Sequence, residues 1–575
     1  MQRPTPEDLL AAFGLPAFRP GQQAAVEAAL AGRDSLVVMP TGGGKSLCYQ
    51  LPALADRGPV LLVSPLIALM HDQLERARAA GVNAVMFAST LAEGENAAAL
   101  AQIREGEAQM IIAAPERFAS AAFRGAIADA GVSLFAVDEA HCVAEWGHDF
   151  RPDYLRLAEA IELAGRPPVM ALTATATLRV ADEIVRRLGL RDPEIVRSGF
   201  DRPNIAFDVL ALDGEGTANR KRAALAYLLA AHDALPAIVY AGTRKDAEKL
   251  AVELDGHGLR SGAYHGGMDG EARSAVQRAF MAGELDVVAC TNAFGMGVDK
   301  ANVRTVVHWA LPTSLEAYYQ EAGRAGRDGE QARAVLLASR SDLGRLIRFI
   351  KEREMDVGDV RGFVARLRAR ADGGAAILAA GELADRDRIL LSVAERSGAA
   401  TLAPAPGGGL QITLTGAGSP RLARAAIGQA RERSWEAYRS IERYAASGGG
   451  CRRRQLLEHF GDRSEPAPTG RCCDVCDPDT GLLAAAQKPV KRRAAAPPAA
   501  VSGPEFERLR AWRMERAEGK PAYTVATDRV LAEVLDRRPK SEAELLTISG
   551  IGPSFLAKHG DDLLAELREL EASIP

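Results

Sequence analysis

Twice along this chain, short runs of aliphatic and β-branched residues alternate with segments of helical periodicity. The first series contains SLVVM (35–39), VLLVS (60–64), QMIIAA (109–114) and LFAVDE (134–139). The second contains AIVYA (237–241), DVVACT (286–291) and TVVHWA (305–310). Runs with so few polar interruptions suit strands covered on both faces, and helices between them supply the crossovers that parallel pairing needs. The predicted class is therefore α/β: two doubly wound parallel-sheet lobes, over about 35–200 and 235–340, with a cleft between them. FDRPNIAFD (200–208) lies between the two series and shows no strong element of its own. In such sheets ligands bind beyond the carboxyl ends of the strands, so the residues just after each run are the first to search.

A length of 575 residues suggests about four domains. Residues 345–446 turn helical and arginine-rich, and LQITLT (410–415) follows the glycines 407–409, a pattern read as winged-helix-like. Residues 479–503 are rich in Ala, Pro and Lys and predict a disordered linker. The last seventy residues regain helical periodicity as a small all-α module. The expected division is 1–204, 205–345, 346–425, 426–480, 481–503 and 504–575. With 47% hydrophobic and 25% charged residues the chain has the composition of a soluble globular protein. No apolar run approaches the ~20 residues that span a bilayer, and the N-terminus lacks an apolar signal core, so a cytoplasmic location is expected.

PTGGGKS (40–46) follows an apolar strand and leads into a helical run, the context of a phosphate-binding loop, although Met39 stands where the strict fingerprint has its first glycine. Glycines let backbone N–H groups close on phosphates. Lys45 neutralises the outer phosphates, and Ser46 suits a Mg²⁺ ligand. Asp138 and Glu139 end the strand LFAV, where one carboxylate suits Mg²⁺ and the other can activate water. His141 is placed to relay between that site and the loop beyond it. This loop carries Trp146, Phe150 and Arg151, side chains that stack on and hold unpaired bases. In QEAGRAGRDG (320–329), Arg324 and Arg327 are candidates to reach across the cleft to a terminal phosphate.

FRPGQ (18–22), PTGGGKS, SPLIALM (64–70), APERF (114–118), DEAHCVAEWGHDFRP (138–152), ALTATAT (171–177), FDRPNI (200–205), AYHGGM (263–268), AFGMGVDK (293–300) and QEAGRAGRDG together resemble the ordered motif series of RecQ-family helicases. The resemblance implies tandem RecA-like lobes and an ATP-dependent DNA helicase. It also implies 3′-to-5′ movement on single-stranded DNA, with duplex DNA unwound in repair or recombination, in a bacterial cytoplasm or nucleoid. It implies that ATP is held by Arg19, Gln22, Thr41, Gly42, Gly43, Gly44, Lys45 and Ser46, with Mg²⁺ on Ser46 and Asp138. Lys45, Asp138, Glu139, Gln320, Arg324 and Arg327 become the catalytic set, Arg327 being the finger. His141, Trp146, His148, Phe150 and Arg151 become the DNA-coupling set. Family members often carry an aromatic residue a few positions before FRPGQ. Here Leu15 stands there, which leaves Phe18 and Arg19 to meet the adenine.

CRRRQLLEHFG (451–461) followed by Cys472, Cys473 and Cys476 resembles the family's zinc-binding segment. Four clustered cysteines in a reducing compartment favour Zn²⁺ over disulfides. Gly470 replaces one expected cysteine, and Cys472 adjoins Cys473. Four thiolates, three, and a set that includes His459 all remain open. Residues 504–564 resemble the HRDC module, an accessory single-strand or partner binder. Its 505–575 span carries eleven basic and fourteen acidic residues, which argues against a strong electrostatic grip on DNA. The overall net charge of −4 is equally unpromising. Locally, though, 421–454 holds nine arginines against three glutamates, with Trp435, Tyr438 and Tyr444 interleaved. The family's usual order places its winged helix after the zinc segment, whereas here the candidate precedes it. A DNA translocase or annealing factor without robust unwinding is the first alternative, and an RNA helicase the second.

Overall fold

The computed structural model describes residues 4–572 except 66, 89–90, 92, 144–153, 155, 232, 296–297, 380–381, 406–408, 447, 449, 488–502, 518–524, 527, 546–547, 549–550 and 552. It divides into two units, 1–488 and 489–575. In the first unit β1 (Ser35–Val38), β2 (Val60–Val63), β3 (Ala84–Phe87), β4 (Met110–Ala113), β5 (Leu134–Val137), β6 (Val169–Thr173) and β7 (Glu194–Arg197) form one parallel sheet, in the order β3-β4-β2-β5-β6-β1-β7. A second parallel sheet has the order β10-β11-β9-β12-β13-β8. Its members are β8 (Ile205–Ala211), β9 (Ala237–Tyr240), β10 (Ser261–Tyr264), β11 (Val287–Cys290), β12 (Thr305–His308) and β13 (Ala332–Ala338). The α/β reading therefore holds, with two doubly wound sheets. Strands β1, β2, β4, β5 and β6 are buried along their whole length. Each Val or Leu so covered contributes about 1.5–3 kcal/mol relative to an exposed one.

Residues 200–208 depart from expectation, because β8 begins inside that segment and runs seven residues as the outer strand of the second sheet. Asp208 hides it by placing a carboxylate in mid-strand. That carboxylate is buried and held by Arg333 Nε at 2.7 Å and by Arg471. Its burial cost is met by partners more than a hundred residues away.

Helix Val357–Arg370, β14 (Ala375–Leu378), helix Asp385–Arg396, β15 (Ala400–Ala405) and β16 (Gly409–Leu414) follow. The run LQITLT after the glycines is β16, which pairs with β15 on one side and β14 on the other in an antiparallel sheet ordered β14-β16-β15. Phe363, Leu367, Leu391 and Ile412 pack its core.

Helix Pro420–Ala445, helix Arg452–His459 and the cysteine loop close on the second sheet. Residues 480–487, expected to fall in a disordered linker, are instead the helix Thr480–Gln487. Its Leu482 and Ala486 sit among Leu225 and Leu228, and Arg220 Nε donates to Ala486 O at 2.9 Å. Among its described residues the second unit, by itself, is helical: Pro504–Arg516, Asp528–Arg537, Glu542–Leu545 and Pro553–Ala572 pack around Leu509, Trp512, Leu531, Val534 and Leu563.

Candidate active site and metal centre

The phosphate-loop residues leave the carboxyl end of β1, which lies between β6 and β7. Gly42 and Gly44 take φ of +83° and +80°, a region costly for other residues, and Gly44 leads into helix Lys45–Ala53. A Cβ at Gly44 would stand 2.4 Å from Gln22 Nε2 and would push that amide aside, in addition to the strain of a side chain at φ +80°. Gln22 Nε2 donates to Gly44 O at 3.0 Å, and its Oε1 accepts from Arg19 N at 2.7 Å. Arg19 Nη1 reaches Gly42 O at 2.6 Å. The two expected nucleotide-edge residues are thus tied to the phosphate loop itself. Leu15 is exposed and Phe18 half-buried beside the first helices.

Lys45 Nζ donates to Met39 O at 3.1 Å, and burial lowers its pKa against the raising pull of Glu139 and Asp138. Both carboxylates are therefore close to it, as phosphate chemistry with a divalent cation requires. Asp138 accepts from Gln73 Nε2 at 2.8 Å and from Glu139 N at 2.9 Å. Burial and the Glu139 charge raise its pKa to about 6. Glu139 follows with φ +46°, a strained angle for a residue with a side chain. His141 Nδ1 stands 3.0 Å from Thr173 Oγ1 and 3.3 Å from Glu139 Oε2. His141 thus meets Thr173, at the end of β6 on the same sheet edge.

A carboxyl pKa raised by folding has a definite sign. The stabilisation it brings is full below the unfolded value of 3.8 and is lost as pH rises through about 6. Without nucleotide or divalent cation, the wild-type Tm should fall more steeply between about pH 4 and 6 than that of Asp138→Asn. Parallel melting curves would exclude burial of Asp138 as the source.

From the second lobe, Arg327 lies over the loop, its Cγ 3.6 Å from where a Gly42 Cβ would stand. Its guanidinium is buried, pairs with Asp299, and has its pKa lowered to about 10 by that burial and by Arg324. Asp299 also pairs with Arg76 of the first lobe. Arg324 instead turns into its own lobe, Nη1 meeting Val298 O at 3.4 Å, and Gln320 is buried on helix Leu315–Ala322. Trp146, His148, Phe150 and Arg151 lie outside the described residues.

Two site residues were not singled out from sequence. Asp299 is one. The other is Arg202, buried between the lobes. Its Nη1 donates to Thr41 O at 3.0 Å and Gly323 O at 2.7 Å, and its Nη2 to Ala325 O at 2.9 Å and Gly326 O at 3.2 Å. One guanidinium thus ties the phosphate loop to the loop of Arg327. The motifs FDRPNI and AFGMGVDK contain both residues, but their partners are set only by the tertiary fold.

The sulfurs of Cys451, Cys472, Cys473 and Cys476 lie within 4.8 Å of one another, with Cys451 and Cys472 3.7 Å apart. Tetrahedral Zn–S bonds of about 2.3 Å put ligand sulfurs about 3.8 Å apart, so the cluster fits that ion with all four thiolates. His459 is not among them: its Nε2 faces Glu316 at 2.8 Å. The basic patch is also partly structural. Arg452 is buried on Asp474, and Arg453 on Asp201, Arg202 O and Ile205 O.

Residues 19–184 match the DEAD/DEAH box helicase family and 220–329 the helicase conserved C-terminal domain. Residues 420–477 match RecQ zinc-binding and 505–567 the HRDC domain. The ATP-dependent DNA helicase RecQ of Bacillus subtilis is 34% identical over 598 residues, covering 97% of each chain. RecQ of Pasteurella multocida is 40% identical over 60% of this chain and 54% of its own. The probable ATP-dependent DNA helicase RecS of B. subtilis is 35% identical over 82% and 91%.

Proposed function

The chain belongs to the RecQ family of ATP-dependent DNA helicases, and from that premise we propose how its residues divide the work. It is an ATP-dependent DNA helicase that binds DNA. Gln22 and Arg19 hold the base end of ATP, and residues 41–46 its phosphates. Ser46 and Asp138 would hold Mg²⁺, which supplies charge neutralisation at the phosphates when bound. Glu139 orients and deprotonates the attacking water, and Arg327 neutralises charge developing on the terminal phosphate. Gln320 and Arg324 support that loop. The packing of Arg327 over Gly42 carries this reading, because it brings a charge from each lobe to one phosphate position.

Closure of the cleft on ATP and its release on hydrolysis would move a strand across both lobes. We assign 3′-to-5′ polarity, a part in repair or recombination, and coupling through His141, Trp146, His148, Phe150 and Arg151. The four thiolates hold Zn²⁺ as a closed, structural ion. The lobes are 1–204 and 205–345, and 346–425, 426–480 and 504–575 are accessory.

Strand displacement on 3′-tailed, 5′-tailed and blunt duplexes tests this. Displacement of the 3′-tailed DNA alone is expected. Preference for a 5′ tail would reverse the polarity. DNA-stimulated hydrolysis with no displacement would mark a translocase, and displacement confined to RNA an RNA helicase.

A further inference from the structure

Asp299 of the second lobe stands between two cations, one from each lobe. Its Oδ1 accepts from Arg327 Nη1 and its Oδ2 from Arg76 Nη2. Each arginine therefore has one carboxylate oxygen rather than two. A guanidinium and a carboxylate left to themselves pair through two parallel hydrogen bonds, and Arg76 denies Arg327 the second of these. Arg327 Nε is buried with no hydrogen-bond partner among the described residues, so the side chain keeps a donor for another acceptor. Burial would raise the Asp299 pKa, yet Arg327 and Arg76 together hold it below the usual carboxylate value.

Arg76 is carried by helix Ile67–Ala79, beyond the motif SPLIALM (64–70). Three residues earlier, on the same helix face, Gln73 Nε2 donates to Asp138 Oδ2 at 2.8 Å. One helix of the first lobe thus meets the carboxylate at the end of β5 and, a turn later, the carboxylate that holds Arg327. The side chains of Arg76 and Asp299 are 55% and 30% exposed. An ion pair so open to water adds little to the cohesion of the lobes. What it alters is the geometry left for Arg327.

We propose that Arg76 is a positioning residue for ATP hydrolysis, one that occupies an oxygen of Asp299 and so keeps Arg327 on a single, exchangeable contact. From that contact the guanidinium can turn to the terminal phosphate. With Arg76 gone, Asp299 closes on Arg327 with both oxygens and parks it. Arg76 belongs to the first lobe and Asp299 to the second, so the sharing exists only while the lobes are together. Arg327 is thereby released in the arrangement that also brings it over the phosphate loop. The proposal rests on the reading of Arg327 as the finger.

A double-mutant cycle in the full chain tests it, read by single-turnover hydrolysis at saturating DNA and by the Kd of a fluorescent ATP analogue. Arg76→Ala should slow hydrolysis about tenfold, a coupling of the size found within one ion-pair network, and leave that Kd unchanged. Arg76→Lys, which still occupies an oxygen, should recover most of the rate. An amide has one acceptor oxygen, so in the Asp299→Asn background Arg327 is held by one contact with or without Arg76. There Arg76→Ala should cost about twofold or less. An equal loss in both backgrounds overturns the proposal, as does a Kd that weakens as much as the rate falls. Arg327→Ala separates this from the finger reading. If that variant keeps its rate within about tenfold, both readings fall. If it is slow while Arg76→Ala matches the wild type, only this one does.

Discussion

Arg327→Ala should lower kcat for DNA-stimulated ATP hydrolysis by about 10³-fold or more while changing nucleotide affinity little. The asymmetry follows from where the side chain sits. It reaches the loop from the opposite lobe and is buried beside Asp299, with its pKa pulled down to about 10. A cation held at that cost gains most when negative charge builds on the terminal phosphate, so its worth is concentrated in the transition state. Arg327→Lys should recover little, because a point charge on a flexible stem cannot keep both Asp299 and a phosphate oxygen in one plane. Single-turnover hydrolysis at saturating DNA measures this directly. A loss below tenfold would remove Arg327 from the catalytic set.

Arg202→Ala should cost about a hundredfold in the same rate, by a different route. Its guanidinium holds four carbonyls, one from the phosphate loop and three from the loop of Arg327. A hydrogen bond from a charged donor contributes about 1.5–3 kcal/mol, and 2.7 kcal/mol lost only from the closed arrangement is about a hundredfold. Arg202 is a positioning residue, so its signature is a split. ATP bound by the first lobe alone should retain its Kd, whereas kcat falls and its dependence on DNA concentration flattens. Arg202→Lys, which keeps the charge but not the fork, should fall between. A rise in Kd for ATP matching the fall in kcat would mean that the first lobe itself had been damaged.

These two residues show what the sequence could and could not reveal. The runs of β1, β2, β4, β5, β9, β11 and β12 were legible because strands covered on both faces keep polar residues out. β8 was not, since Asp208 is tolerated only through Arg333 and Arg471. In the site, Lys45, Asp138 and Glu139 announce themselves by following a buried run. Arg202 and Asp299 do not, as their partners lie on remote segments. The four thiolates come together despite the irregular Cys472–Cys473 step. His459, plausible by proximity in sequence, is taken by Glu316.

The cysteine loop also finishes a sheet. β8 is the outer strand of its lobe, and the backbone at Cys472 and Cys473 lies alongside it, with Phe207 N donating to Cys472 O at 3.1 Å and a parallel bridge joining Phe207 to Cys473. Val209 N is taken by Asp474 at 3.2 Å. Bare strand edges invite pairing with other chains. Oxidising or chelating conditions that loosen this loop therefore expose a templating edge on an otherwise intact motor. The damage would show first as turbidity that grows with protein concentration, in a lobe whose own nucleotide chemistry has not been touched.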